Sequence, residues 1–224
     1  DNLKYLISCV AKLMSKNTIL VIENHYLGSV LDQKQFDTFY HEHPRTYSQR
    51  SFLEIAKKIK ANLIHCSFPK RYGGNIRVVI TKSKKREIKI KNENFFFHKF
   101  KQLQNSMEKW RKTKKEELLN LSKKYGSLSA KAFPGRASIL IKLLNIDEKV
   151  ISEVYEKPNS KKIGHYLPGT TIPIKSDNKF LQNKNKIKII INLAWHINKE
   201  IKIYLKKMGY KGKIIDILNS KDFK

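Results

Sequence analysis

Between Asn92 and Lys124 the sequence contains no Gly or Pro, and Phe96, Phe100, Leu103, Met107, Trp110, Leu118 and Leu121 leave one apolar stripe among frequent charges. Apolar residues returning at helical spacing over so long a run predict a single continuous helix. A helix of about 20 residues already spans a small domain. The run is therefore read as a connector, residues 91–124, between a first domain over 1–90 and a second over 125–224.

On either side of it, strand and helix patterns alternate. Leu3, Leu6, Ile7, Val10, Leu13 and Met14 recur at helical spacing, and Thr18–Ile22 is a short run rich in β-branched residues that predicts a buried strand. Phe52–Ile59 predicts a helix with Ser48 or Ser51 as N-cap, and Leu63–Phe68 and Ile76–Thr81 predict two strands joined through a turn at Gly73-Gly74. Beyond the connector the order is strand Ala130–Phe133, helix Ala137–Leu144, strand Val150–Tyr155, a turn-rich segment Gly164–Pro173, strand Ile187–Leu193, helix Asn198–Met208 and strand Ile214–Leu218. Asn178–Lys188, rich in Lys and Asn, predicts a solvated loop. Such alternation predicts an α/β layer with a mostly parallel sheet.

At 40% hydrophobic residues the chain can bury a core, which excludes wholesale disorder. No window reaches the roughly 18–20 apolar residues of a membrane span, so no membrane partner is expected. Asp1–Leu6 has neither the basic nor the apolar part of a secretory signal. Two isolated cysteines, Cys9 and Cys66, exclude a disulfide framework and a four-cysteine zinc site within the chain, and a reduced, cytoplasmic compartment is expected. The balance of 47 Lys+Arg against 19 Asp+Glu, a net +28, raises nucleic acid as a partner. Only seven of those 47 are Arg, however, and Lys is spread along the whole chain rather than gathered in one place. That distribution matches the residue usage of an AT-rich genome and counts against a nucleic-acid interface.

The densest chemical constellation is Phe39-Tyr40-His41-Glu42-His43-Pro44-Arg45. A carboxylate beside an imidazole raises its basicity and fixes its tautomer, and a phenol can donate to a developing oxyanion. The same residues could make a polar turn; a metal site would need a third ligand from His25, His65 or His98, and none is assigned. Glu23-Asn24-His25-Tyr26 follows a predicted strand directly, where α/β sheets bind ligands, and could equally be a capping loop. Tyr72-Gly73-Gly74-Asn75-Ile76-Arg77 is either a hairpin turn or a close approach to a ligand. Neither G-x-G-x-x-G nor G-x-x-x-x-G-K-[ST] occurs, and no two glycines stand two apart, so no nucleotide-binding glycine loop can be located.

These segments together resemble the sugar C-methyltransferase family. Val21–Val30, reading V-I-E-N-H-Y-L-G-S-V, and Phe36–His43, reading F-D-T-F-Y-H-E-H, are similar to its E-x-x-Y-L-G and F-D-x-x-Y-x-E-H motifs, with Tyr47-Ser48 following. Tyr72–Val78 resembles its H-G-G-S-x-R hairpin, Gly164–Pro173 its K-Y-L-P-G-x-x-I-P loop, and Leu193–His196 its L-x-A-W-N strand end. The family's Y-G-A-x-A-K-G segment is replaced by Lys131–Ala137, its hairpin histidine by Tyr72 and its asparagine by His196.

The resemblance implies the later half of a methyltransferase-type Rossmann-like sheet, with Thr18–Ile22 as an inner parallel strand, then the long helix and a second Rossmann-like α/β domain. It implies methylation, dependent on S-adenosylmethionine, of a carbon in a nucleotide-linked keto-deoxysugar. His43 would be the base, with Tyr40 and Glu42 as partners; Glu23, Asn24, Tyr26, Gly73, Gly74 and Arg77 would line the substrate pocket. The cofactor would be bound mainly by a segment missing from this chain, supplied in cis or by a second chain, so the chain alone would be inactive in methyl transfer. A non-catalytic α/β interaction protein and a basic nucleic-acid-binding module are the alternatives.

Overall fold

The structure is a computed structural model and describes residues 2–41, 43–83 and 88–223. The chain divides into two compact units, Asp1–Gln104 and Asn105–Lys224. The division falls inside the long helix that the sequence predicts.

The first unit opens with α1 (Leu3–Leu13) and β1 (Ile19–His25), followed by α2 (Leu27–Asp32) and a 3-10 turn at Phe36–Thr38. Next come α3 (Gln49–Lys58), β2 (Asn62–Ser67) and β3 (Asn75–Thr81), and the sheet order is β1-β3-β2. Phe52, Ala56 and Ile59 of the α3 region pack on Leu63, Ile76, Val78 and Ile80, all nearly fully buried. Ser48 caps α3 by accepting from the Ser51 backbone N–H, and the Ser51 hydroxyl accepts from the Ser48 backbone N–H. The Glu93 carboxylate also accepts from Gln49 N at 2.8 Å and Arg50 N at 3.2 Å, at the end of the helix where a negative charge is favoured.

The β2–β3 pair forms as the sequence predicts, antiparallel, although Phe68–Gly74 makes a longer connection than a tight hairpin. β1 departs from expectation. It is not an inner parallel strand: it pairs antiparallel with β3, and among the described residues β3 is its one partner. Ile19 and Val21 stand 66% and 57% exposed. A β-branched run signals a strand, but neither the direction of its neighbour nor the cover on its faces.

α4 (Phe96–Tyr125) contains Phe100, Met107 and Trp110, as the stripe predicts. The second unit then follows as β4 (Leu128–Lys131), α5 (Ala137–Leu144), β5 (Ile151–Glu156), β6 (Ile174–Ser176), α6 (Asp177–Asn183), β7 (Ile189–Asn192), α7 (Asn198–Lys207) and β8 (Lys213–Asp216). Its five strands are all parallel in the order β6-β5-β4-β7-β8, a Rossmann-like α/β sheet. Strand β4 ends before the predicted Ala130–Phe133 does, because Ala132 takes a left-handed backbone, φ 62°, that no strand can continue through. The predicted loop Asn178–Lys188 is also corrected: its first half belongs to α6, where Phe180 is fully buried. Within this unit Trp110, fully buried, donates its indole N–H to Ile217 O at 3.0 Å.

Candidate functional site

β1 delivers Glu23, Asn24 and His25 to its carboxyl end, and the segment after the 3-10 turn folds back beside it. Leu27 N donates to Tyr47 O at 2.8 Å, which closes the returning chain on β1. His43 N donates to Tyr40 O at 2.9 Å, making the turn that holds both side chains together. The Tyr40 and His43 rings meet edge to face with centroids 5.2 Å apart, and the His25 and His43 rings lie 5.0 Å apart. Beside them is an open cleft of about 470 Å³, lined by Leu27, Phe39, Tyr40, His43, Pro44 and Phe100 among others. Phe39 and Phe100, 6.4 Å apart, form an apolar wall. The arrangement places an imidazole and a phenol against an apolar surface, which suits removal of a proton from a carbon acid.

The remaining expected residues go to different places. Glu23 faces Arg77 across the β1–β3 ladder and accepts from Arg77 Nε at 2.7 Å and from Asn75 Nδ2 at 2.8 Å. The Asn75 and Arg77 hydrogen bonds hold its carboxyl below the usual carboxylate range. Asn24 lines a separate apolar cleft with residues of α1 and α3, such as Ile7 and Ile55. Tyr26 is buried, and its hydroxyl donates to Glu93 at 3.3 Å; burial first, then Glu93, pushes its pKa far up. Gly73 and Gly74 have φ of 89° and 108°, and a Cβ there would meet Gln35 Nε2 and Ser29 Oγ, each at 2.5 Å. Their freedom thus lets the protein's own side chains approach. Glu42 lies outside the described residues. His25 enters the cluster without having been assigned to it. Its position at the carboxyl end of a predicted strand was the available signal.

The second unit has its own cleft, about 270 Å³, at the carboxyl ends of β4 and β7. The loop from Ala132 to Arg136 carries a single glycine, and Lys131, Lys157 and Lys162 line the wall. A single glycine beside a proline offers few backbone donors, so that loop does not fit S-adenosylmethionine; the three-stranded sheet of the first unit offers no glycine loop either. Among the described residues no group of three or more His, Cys, Asp and Glu is placed to hold a metal ion, and no helix is long and apolar enough to cross a membrane. Comparison with known families matches residues 70–217 to the one described as C-methyltransferase C-terminal domain. No curated protein matches the chain.

Proposed function

The chain belongs to the C-methyltransferase C-terminal domain family, and from that premise we propose that it forms the substrate side of an S-adenosylmethionine-dependent C-methyltransferase acting on a nucleotide-linked keto-deoxysugar. The acceptor is a carbon next to a carbonyl. Its C–H bond breaks first: the proton passes to a base, and the electron pair moves onto the carbonyl oxygen as an enolate. His43 is that base in this reading, and Tyr40 donates a hydrogen bond to the enolate oxygen. One observation carries it: the His43 ring lies against both Tyr40 and His25 on the wall of an open cleft at the carboxyl end of β1.

S-adenosylmethionine, when bound, supplies the methyl group. Because the described residues do not fit it, the donor side belongs to a further segment or a second chain, and this chain's part is to bind the acceptor, shield it with Phe39 and Phe100, and take its proton. Titrating the chain with a nucleotide-linked keto-deoxysugar, while following the imidazole ring protons by NMR, tests the site. The His25 and His43 resonances should move together. Binding that shifts other residues and leaves both imidazoles in place would sink the reading.

A further inference from the structure

Between Ile88 and Met107 Glu93 is the only acidic residue, in a segment that carries the chain from β3 into α4. A carboxylate among lysines ordinarily stays in water, yet Glu93 is only 7% exposed. Burying such a group is costly unless donors surround it. Three do. Its Oε1 accepts from the Tyr26 hydroxyl at 3.3 Å and from Gln49 N at 2.8 Å, and its Oε2 accepts from Arg50 N at 3.2 Å. Hydrogen bonds to a carboxylate are among the stronger ones in proteins.

Each partner belongs to the surroundings of the cleft beside His43. Tyr26 stands between His25, whose ring meets that of His43, and Leu27, which lines the cleft. Gln49 and Arg50 open α3, directly after the returning segment that contributes Pro44 and Thr46 to the lining. Glu93 itself leads into α4. Phe96 N donates to Glu93 O at 3.2 Å, and the Phe96 ring meets Tyr26 edge-on at 6.4 Å. Phe100, one turn further, is a wall of the cleft. The Gln49 side chain braces the same segment: its Nε2 donates to Lys89 O at 3.0 Å, and its Oε1 accepts from Lys91 N at 2.8 Å. The Lys99–Asp32 ion pair also holds the start of α4, but both side chains are exposed and such a pair contributes little.

The geometry points to Glu93 as a positioning residue of the acceptor cleft: through Tyr26 and the first turn of α4 it sets Phe100 against Phe39. Glu93 touches no reacting atom. Its removal lets the start of α4 drift from the rim, while the Tyr40–His43 turn, closed by its own hydrogen bond, stays in place. The acceptor then loses apolar cover and keeps its base. This rests on the reading of that cleft as the place where the enolate forms, and adds the residue that shapes it.

Hydrogen exchange next to the carbonyl of a nucleotide-linked keto-deoxysugar, followed by NMR in deuterated water with the full chain, separates KM from kcat. Glu93→Ala should raise KM about tenfold, the scale of part of a phenyl ring left in water, with kcat within about twofold. Glu93→Gln keeps an oxygen for Tyr26 and Gln49 N and should restore most of the affinity. Ser48→Ala removes a cap of α3 without touching Tyr26 or α4; it should lower stability and leave KM unchanged. A second readout needs no ligand: NOEs between the Phe39 and Phe100 rings should be present in the wild type and lost in Glu93→Ala. If Glu93→Ala does not fold, Glu93→Asp, one carbon too short for all three donors, carries the same expectations. Ring NOEs retained in the variant, an unchanged KM, or a KM rise reproduced by Ser48→Ala would each overturn the proposal. Absence of exchange in the wild type would count against the enolate reading instead, and the ring NOEs would still decide the role of Glu93.

Discussion

Glu23 and Tyr26 stand three residues apart in a segment whose composition suggests a ligand wall, yet both are engaged by residues far along the chain. Arg77 and Asn75 bind Glu23, and Glu93 accepts from Tyr26. Local spacing cannot show which residue a strand partner will place opposite, so these ties were invisible, whereas the Tyr40–His43 pair lies within one turn and was legible. The Glu23 ties have a measurable consequence. Its carboxyl titrates lower in the folded chain than in the unfolded one, so the stabilisation is complete above the unfolded pKa and is lost as pH falls through the folded one. In urea unfolding, the advantage of the wild type over Glu23→Gln should be constant above about pH 6 and shrink below about pH 4, around the ordinary carboxylate range. Lys131 gives the buried counterpart. Asp177→Ala would leave its ammonium, 1% exposed, without its carboxylate, and should cost about 3–5 kcal/mol by the same measurement.

Elements differ in how far their own residues determine them. The α5 helix forms over Ala137–Leu144, where the sequence places it, since its buried positions Ala137, Leu140, Ile141 and Leu144 follow helical spacing. α6 and β6 are short and are held by packing, so a Lys- and Asn-rich composition concealed the first and the second left no pattern. In α6 only Asp177 and Phe180 are buried. Phe180→Ala should therefore destabilise the chain by about 3–5 kcal/mol in thermal or urea unfolding, as for other fully buried aromatics. A change below 1 kcal/mol would return the segment to a solvated loop. At the β2–β3 connection, Gly74→Ala should cost about 1–3 kcal/mol, because its φ of 108° is foreign to residues with a Cβ and Ser29 stands in the way. Ser29→Gly should relieve the steric part and leave the backbone part.

On the scale of the whole molecule, the Gly- and Pro-free run announced the long helix α4, and the alternating patterns after it announced the parallel α/β sheet of the second unit. The family membership over residues 70–217 supports the C-methyltransferase reading. The antiparallel place of β1 was not legible, because sheet order is set by which strands meet, not by what any one contains. The lack of a glycine loop leads to a further expectation: S-adenosylmethionine should show no micromolar binding to the chain in calorimetry, and affinity at that level would contradict the assignment of the donor side elsewhere. The central claim is that this chain holds the base that forms the enolate, a step that can be followed without any methyl transfer. With a nucleotide-linked keto-deoxysugar in deuterated water, the chain should catalyse exchange of the hydrogen next to the carbonyl, as seen by NMR, and His43→Gln should slow it by about 10²–10⁴-fold, the usual contribution of a positioned general base. Exchange at the wild-type rate in His43→Gln, or none with the wild type while the sugar is bound, would contradict it.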